Sequence, residues 1–252
     1  MIKFNYKDVA KEQGWNFNSI TPIVEYPVDY FYYKEVAKEI NPSTVMLDIG
    51  CGSGEKAVRY FSNAKKVVML DNEPEMLTRV QANVEKILSP KEREIFTTKL
   101  ADGTGKLDFP DESFDMVVSR HCGGNMSEVY RVLKKGGIFI SEDVDHEDCL
   151  EIKQLFGRGQ GYENLKTHNL EKQKIMNECL DLKFSDIELK NFYYIEYYPD
   201  VQQLKYLLTR TPILEYFDET TDDEILNQYI AQNTTEKGIK LIRRLYAFRI
   251  VK

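Results

Sequence analysis

The segment that most constrains the fold is V-M-L-D-I-G-C-G-S-G, residues 45–54, in which an apolar run ends in an acid and three spaced glycines. Apolar residues then recur at helical spacing over residues 55–63. Glycine lets a backbone turn sharply and approach a ligand where a Cβ atom would clash. The segment therefore predicts a buried strand, a tight turn and a helix, with the turn either binding a ligand or serving only as a connection.

Strand-like and helix-like runs alternate through the middle of the chain, which is typical of a parallel sheet with helices on both faces. Two further strand-like runs follow in the last third of the chain. The predicted strands are residues 44–48, 67–70, 94–100, 114–119, 137–144, 185–198 and 242–251, and the predicted core helices are residues 55–63, 74–87 and 126–135.

No repeat, low-complexity tract or linker divides the chain, so we predict a single domain over residues 1–252. Residues 1–41 are rich in tyrosine and are predicted to form an N-terminal helical cap. Residues 42–145 are the predicted cofactor-binding α/β core. Residues 146–252 are a C-terminal, substrate-side half that carries a helical insertion at about 200–240.

Two acids mark the ligand expected at the glycine turn. Asp48 precedes the glycines, and Asp71 ends the next predicted strand, where a carboxylate can accept hydrogen bonds from both hydroxyls of an adenosine ribose. The spacing G-x-G-x-G differs from the G-x-G-x-x-G of dinucleotide binders, and a carboxylate at Asp48 is unfavourable beside a pyrophosphate. These features favour a nucleoside cofactor that carries an ammonium group and a sulfonium.

Five motifs follow one another through the core: LDIGCGSGEKA, LDNEPEML, LADG, FPDESFDMVVSRH and EVYRVLKKGGIFI. In this order the chain resembles the class I S-adenosylmethionine-dependent methyltransferases, in particular the broad methyltransferase-domain group called type 11, over residues 30–145. The resemblance implies a Rossmann-like α/β fold with a mixed seven-stranded sheet, mostly parallel with the last strand antiparallel, flanked by helices. It also implies S-adenosyl-L-methionine as the cofactor and S-adenosyl-L-homocysteine as the product.

The resemblance also implies a role for the glycine loop and the two acids. In the family the loop holds the methionine part of the cofactor, Asp48 lies near the amino group, and Asp71 binds the ribose hydroxyls. The residues of this sequence that match that part of the family site are Asp48, Gly50, Cys51, Gly52, Gly54 and Asp71.

The remaining predicted cofactor contacts concern the adenine and the end of the fourth core strand. Asn72 and Met76 would flank the adenine, while Asp102 and the Gly103 N–H would bond its polar edge. The loop that follows, G-T-G-K-L-D, is slightly longer than the family pattern, so these last two assignments are weaker than that of Asp71. The end of the strand, where family members line the cofactor and the acceptor pocket, is formed by Ser119 and Arg120.

No catalytic residue can be transferred from the family, because the helix that usually follows the fourth strand is replaced by Cys122-Gly123-Gly124-Asn125 and a short helix. Methyl transfer from a sulfonium needs a general base only when the acceptor loses a proton as it attacks. The candidates for such a base are His121, directly after that strand, and Glu142, at the end of the fifth. Each also has a structural interpretation, His121 as a loop histidine that caps backbone groups and Glu142 as a carboxylate that caps a helix.

The acceptor and the partners are less constrained. The net charge of −7, from 34 basic and 41 acidic residues, disfavours nucleic acid and favours a small-molecule acceptor. Tyrosines cluster at residues 26–33 and 193–198, where aromatic walls would either hold a planar or cationic acceptor or pack the cap against the core. The alternatives that remain are an RNA or protein methyltransferase, an NAD(P)-binding oxidoreductase, and a non-catalytic S-adenosylmethionine-binding regulator.

Metal and redox chemistry are not indicated. The three histidines, His121, His146 and His168, lack metal-ligand spacing, and the last two are predicted at the surface. The four cysteines contain no C-x-x-C motif, and the sequence shows neither a membrane-span-like run nor a signal-like start. We therefore expect no bound metal, no membrane association and a cytoplasmic location, and the sequence does not define the oligomeric state.

Overall fold

The computed structural model describes residues 9, 17, 19–167 and 170–252. His168 and most of the first half of the expected cap lie outside these residues. The described strands are β1 (Ile23–Glu25), β2 (Val45–Ile49), β3 (Lys66–Asp71), β4 (Phe96–Leu100), β5 (Phe114–Arg120), β6 (Leu133–Val144), β7 (Ser185–Tyr198), β8 (Thr234–Thr235) and β9 (Gly238–Val251).

One mixed sheet organises the molecule, with strand order β1-β7-β9-β6-β5-β2-β3-β4 and β8 paired to β9. The five strands from β4 to β6 run parallel to one another, whereas β9, β7 and β1 join them through antiparallel pairings. Parallel strands are covered on both faces, which is why β2, β3 and β5 are nearly continuous apolar runs. This is the predicted Rossmann-like fold, and its last strand is antiparallel as expected.

Helices cover both faces of the sheet. One face packs under α1, α2 and α3 around Val36, Val58 and Val80, and the other packs under α5 and α8. The described helices are α1 (Tyr32–Glu39), α2 (Glu55–Tyr60), α3 (Pro74–Ile87), α4 (Pro90–Arg93), α5 (Met126–Val132), α6 (Leu150–Phe156), α7 (Tyr162–Thr167), α8 (Glu171–Asp181), α9 (Val201–Arg210) and α10 (Asp223–Asn233).

The structure differs from the sequence-based expectation in three details. Over the described part of the chain the sheet has nine strands rather than seven, because β1 and β8, of three and two residues, are too short to carry a periodic signal. The helix predicted over residues 126–135 ends at Val132, and Lys134 and Lys135 already belong to β6. His146, predicted at the surface, is half-buried, with its Nδ1 atom enclosed and Nε2 3.2 Å from the Asn164 side-chain nitrogen.

The helical insertion contains α9 and α10, which pack with α6 around Leu204, Leu226 and Tyr229 to form a separate apolar cluster. Through this cluster, the helices of the C-terminal half pack against the antiparallel strands. Among the residues that the structure describes, we find no helix with the length and apolar character needed to cross a membrane.

Candidate cofactor and acceptor site

The glycine turn lies between β2 and α2, beyond the carboxyl end of the sheet. Gly50, Gly52 and Gly54 all have positive φ angles, of +67°, +55° and +65°. A Cβ atom on Gly50 would lie 2.3 Å from the Cys122 side chain, so this glycine is required by the close approach of the segment after β5. A Cβ atom on Gly52 would meet nothing within 4 Å. The backbone at Gly52 therefore borders open space that a ligand can enter.

Asp71 holds the turn in place from the neighbouring strand. Its Oδ2 accepts a hydrogen bond from the Gly52 N–H at 2.8 Å, and its Oδ1 accepts one from the Glu73 N–H at 3.0 Å. Each carboxylate oxygen retains a second lone pair. Asp71 can thus fix the loop and still accept two hydroxyl groups of a ligand.

Asp48 is buried beneath the same turn and is 6 % exposed. Among the described residues no cation or hydrogen-bond donor contacts its carboxylate. Burial, and secondarily the charge of Asp71, raises the pKa of Asp48 to about 8. A buried acid without a cation partner next to a glycine turn fits a ligand that carries a positive charge, and the residues present therefore suit the predicted cofactor.

The other predicted contacts surround this turn at differing depths. Asn72 is exposed after β3, whereas Met76 is buried in the first turn of α3. Asp102 is exposed and its Oδ1 accepts hydrogen bonds from the Thr104 N–H and hydroxyl at 2.8 Å and 2.7 Å. Gly103 is buried against Ile49, whose side chain would lie 2.3 Å from an added Cβ atom.

Ser119 and Arg120, at the end of β5, make different contacts. The Ser119 hydroxyl is buried and donates to the Gly123 carbonyl at 2.8 Å, which fastens the segment that replaces the usual family helix. The Arg120 Nε donates to Glu142 Oε1 at 2.7 Å, because these two residues lie opposite each other on β5 and β6. Glu142 is 5 % exposed and is already engaged by the guanidinium.

His121 follows Arg120 with a φ of +55°, which is uncommon outside glycine and is found at functional sites. Its Nδ1 lies 3.7 Å from Asp143 Oδ1 and its Nε2 lies 3.8 Å from Glu142 Oε1. Burial and the neighbouring Arg120 charge lower the pKa of His121 despite the two acids. At neutral pH the imidazole is therefore uncharged and able to accept a proton.

Two features of this region were missed by sequence reasoning. Lys56 in α2 places its Nζ 5.8 Å and 6.0 Å from the ring centroids of Phe31 and Tyr33. The pairing of Arg120 with Glu142 depends on the register between β5 and β6. The i, i+2 alternation in each strand puts both side chains on the sheet face of Asp48, but only the strand order makes them neighbours.

Comparisons with known proteins agree with this geometry. Residues 47–141 match the family model described as a methyltransferase domain. The uncharacterized methyltransferase YcgJ of Bacillus subtilis is 27 % identical over 58 % of this chain and 60 % of its own length. The 2-methyl-6-phytyl-1,4-hydroquinone methyltransferase of Synechocystis is 32 % identical over 46 % of this chain and 36 % of its own length.

The chain thus spans less than two thirds of the length of these curated relatives. The crystal structure of YcgJ superimposes with a TM-score of 0.62 at 18 % identity, covering 88 % of this chain and 97 % of that one. This likeness concerns the fold. The family match covers the glycine turn, both acids and the end of β5, and it supports the predicted class I S-adenosylmethionine-dependent methyltransferase.

Proposed function

We propose that the protein transfers a methyl group from S-adenosylmethionine to a small-molecule acceptor. The observation that carries the proposal is the buried, unpaired Asp48 beneath a glycine turn that Asp71 braces and that opens onto free space at Gly52. Asp48 would receive the amino group of the cofactor, Asp71 its ribose hydroxyls and the Gly50–Gly54 loop its methionine part. When bound, the sulfonium supplies an activated methyl group whose leaving group is a neutral thioether.

The residues after β5 and β6 would handle the acceptor. The aromatic side chains of the cap exclude water from the reacting atoms, and Arg120 and Glu142 fix one wall of the acceptor site. Glu142 is a positioning residue here, because its buried carboxylate already accepts from Arg120. The Nδ1 of His121 lies near Asp143, and its Nε2 would take the proton that an acceptor hydroxyl or acidic carbon loses.

Two observations support a small-molecule acceptor. The net charge of −7 opposes binding to a polyanion. The hydroquinone methyltransferase among the relatives is named for a small aromatic acceptor. An RNA or protein acceptor and a regulator without turnover are the competing outcomes, and the family match removes the support for a dinucleotide oxidoreductase.

Cofactor binding is tested by thermal unfolding with S-adenosylhomocysteine and, in parallel, with NADH. At about 100 times its dissociation constant, S-adenosylhomocysteine should stabilise the fold by about 2.7 kcal/mol, and NADH should have no effect. Radiolabelled methyl groups from S-adenosylmethionine should then enter the low-molecular-weight fraction of a cell extract. Label confined to RNA or protein would overturn the acceptor class, and absence of any label would favour the regulator.

The proton-accepting role is tested with His121→Asn, since asparagine also tolerates positive φ. This variant should bind S-adenosylhomocysteine normally and transfer radiolabelled methyl groups to the low-molecular-weight fraction about 100-fold more slowly. His146→Asn is the matched control and should retain full activity. Unchanged activity of His121→Asn would mean that the acceptor attacks without losing a proton to this residue.

A further inference from the structure

We propose that the acceptor carries an oxyanion, a carboxylate or a phosphate, which Arg120 and Lys56 bind beside the tyrosines of the cap. The inference rests on the proposed function and names the chemical class of its acceptor. The residues concerned, called the Arg120 cluster below, are Arg120, Glu142, Lys56, Tyr30, Tyr33 and Tyr194.

The cluster lies next to the cofactor turn on the same face of the sheet. Asp48 is opposite Val118 in β5, so Arg120, two residues further along that strand, points to the face of Asp48. The charges of Arg120 and Asp48 both act on the hydroxyl of Tyr33 in α1, and burial raises the pKa of that hydroxyl to about 12. A molecule held at Arg120 is therefore adjacent to the region that Asp48 and Gly52 border.

Arg120 is anchored but not saturated. Its Nε bonds to Glu142, while its side chain remains 33 % exposed. Among the described residues, no other carboxylate lies within 4.0 Å of the guanidinium, and its further side-chain hydrogen-bond partner is the Tyr33 hydroxyl. A guanidinium has five N–H donors in a planar fork that matches a carboxylate or phosphate. The anchored fork leaves its outer edge available to such a group.

Lys56 adds a second positive charge. Its Nζ lies 6.0 Å from the Tyr33 ring centroid, and the Arg120 Cζ lies 5.9 Å from the same centroid. Within residues 19–167 and 170–252, no acid lies within ion-pair distance of Lys56. The two acids whose charges act on Lys56 pair elsewhere, Glu55 with Arg59 and Glu142 with Arg120. Two cations thus border Tyr33.

The aromatic rings themselves argue against a cationic acceptor. Tyr33 already has Lys56 and Arg120 near its ring, Tyr30 has the Lys190 Nζ at 4.9 Å, and Tyr194 has the Arg243 Cζ at 5.9 Å. These rings already make cation–π contacts with basic side chains of the protein. A positively charged acceptor would have to displace them and meet their repulsion, whereas an anion would be attracted.

The test uses four probes with the protein saturated by S-adenosylhomocysteine: benzoate, benzamide, phenyl phosphate and phenol. Dissociation constants are measured by ligand-observed NMR. At least one anionic probe should bind, and it should bind at least tenfold more tightly than its neutral counterpart. Stronger binding of benzoate identifies a carboxylate acceptor, and stronger binding of phenyl phosphate identifies a phosphate acceptor.

Variants locate the site. Arg120→Gln should weaken binding of the anionic probe by roughly tenfold or more, and Lys56→Gln should weaken it by a smaller factor. Because Arg120→Gln leaves Glu142 buried without its partner, the double variant R120Q/E142Q provides the same test with no unpaired charge. Arg59→Gln, on the exposed side of α2, is the matched control and should bind the probes as the unaltered protein does.

The outcomes separate the two proposals. Any of three results would overturn the oxyanion inference alone. The first is unchanged probe binding in both Arg120 variants, and the second is equal binding of anionic and neutral probes. The third is no binding of an anionic probe at 20 mM or below, about the weakest affinity of a single charge-assisted contact. Failure of the unaltered protein to bind S-adenosylhomocysteine would instead overturn the proposed function, and this inference with it.

Discussion

Two buried acids in different parts of the sheet, Asp48 and Asp148, are held differently by the fold. Among the described residues, no cation contacts Asp48, in the parallel part. In the antiparallel half, Asp148 is equally enclosed, but its Oδ1 and Oδ2 accept from the Arg243 Nε and Nη2 at 3.0 Å and 3.2 Å. Asp145 is likewise paired with Lys172 at 2.5 Å.

This contrast indicates which acids serve the fold and which serve a ligand. A buried carboxylate bonded to an arginine is stabilised in its charged form and holds two strands together. A buried carboxylate without a cation is disfavoured in its charged form until a ligand supplies the missing charge. The Asp48 carboxylate at the glycine turn therefore lacks a positive partner, whereas the Asp148 carboxylate is paired with Arg243.

The largest effect is expected where a structural acid loses its charge. Asp148→Asn removes the closest carboxylate partner of the buried Arg243; among the described residues, Glu196 at 3.3 Å is the carboxylate that remains. We expect the free energy of unfolding to fall by about 3 kcal/mol, measured by urea denaturation. Glu163→Gln, in the exposed pair with Lys166, is the control and should change stability little. Equal stability of the two variants would break the comparison.

The next largest effect is expected on the affinity for S-adenosylhomocysteine. Gly52→Val fills the open space at the turn, and we expect S-adenosylhomocysteine to bind at least about 100-fold more weakly by calorimetry. Gly136→Val is the matched control, because Gly136 also has a positive φ, of +73°, and nothing within 4 Å of an added Cβ atom. The control should show the same backbone strain with normal binding. Normal binding by Gly52→Val would mean that the ligand does not approach this turn.

A smaller effect is expected for the acid that braces the turn. Asp71→Ala should weaken S-adenosylhomocysteine about ten- to 100-fold, because both the loop and the ribose lose an acceptor. Asp115→Ala is the control: its Oδ2 accepts from the Val45 N–H at 2.9 Å, at the opposite end of β2. It should lower stability without changing affinity. Similar affinity losses in both variants would reduce Asp71 to a purely structural role.

The smallest effect is the pH dependence of Asp48. Its pKa of about 8 in the folded state lies above that of an unfolded aspartate, so the folded chain binds the proton more tightly. Stability contributed by the protonated form is present below about pH 4 and is lost as the pH rises toward 8. Between pH 6 and 8 the unaltered protein should lose about 1 to 2 kcal/mol relative to Asp48→Asn.

Cofactor affinity should show the opposite trend. A cationic ligand favours the ionised carboxylate, so S-adenosylhomocysteine should bind more tightly as the pH rises from 6 to 8, with release of a proton detectable in buffers of different ionisation enthalpy. Asp48→Asn should abolish this dependence. Binding that is independent of pH in the unaltered protein would place the ammonium group away from Asp48.

The parallel half could be predicted from the sequence because its signals are local. Buried apolar runs mark β2, β3 and β5, and the glycines and Pro74 mark where helices begin. The helix end at Val132 was missed because Lys134 and Lys135 extend its pattern, while the pairing of Leu133 with Phe114 of β5 begins the strand there. Local propensity was overridden there by the tertiary contact.

The acceptor side could not be predicted because its contacts join distant parts of the chain. Arg120 meets Glu142 through strand register, and Arg243 meets Asp148 across 95 residues. Neither pairing has a spacing that periodicity detects. Lys56 carries no sequence signal for the same reason, because only the packing of α1 against α2 places it near the rings of Phe31 and Tyr33.

The two borders of the sheet have a consequence for solubility. Unpaired strand backbones at a border invite other chains to add on, and this leads to aggregation. Here one border is β1, only three residues long, whose Glu25 forms an ion pair with Lys237. The other is β4, where Lys99 points its ammonium group to Asp108. Shortness and charge thus act as built-in protection against fibril-like growth, which should let the protein be concentrated for the crystallography and NMR that its acceptor site invites.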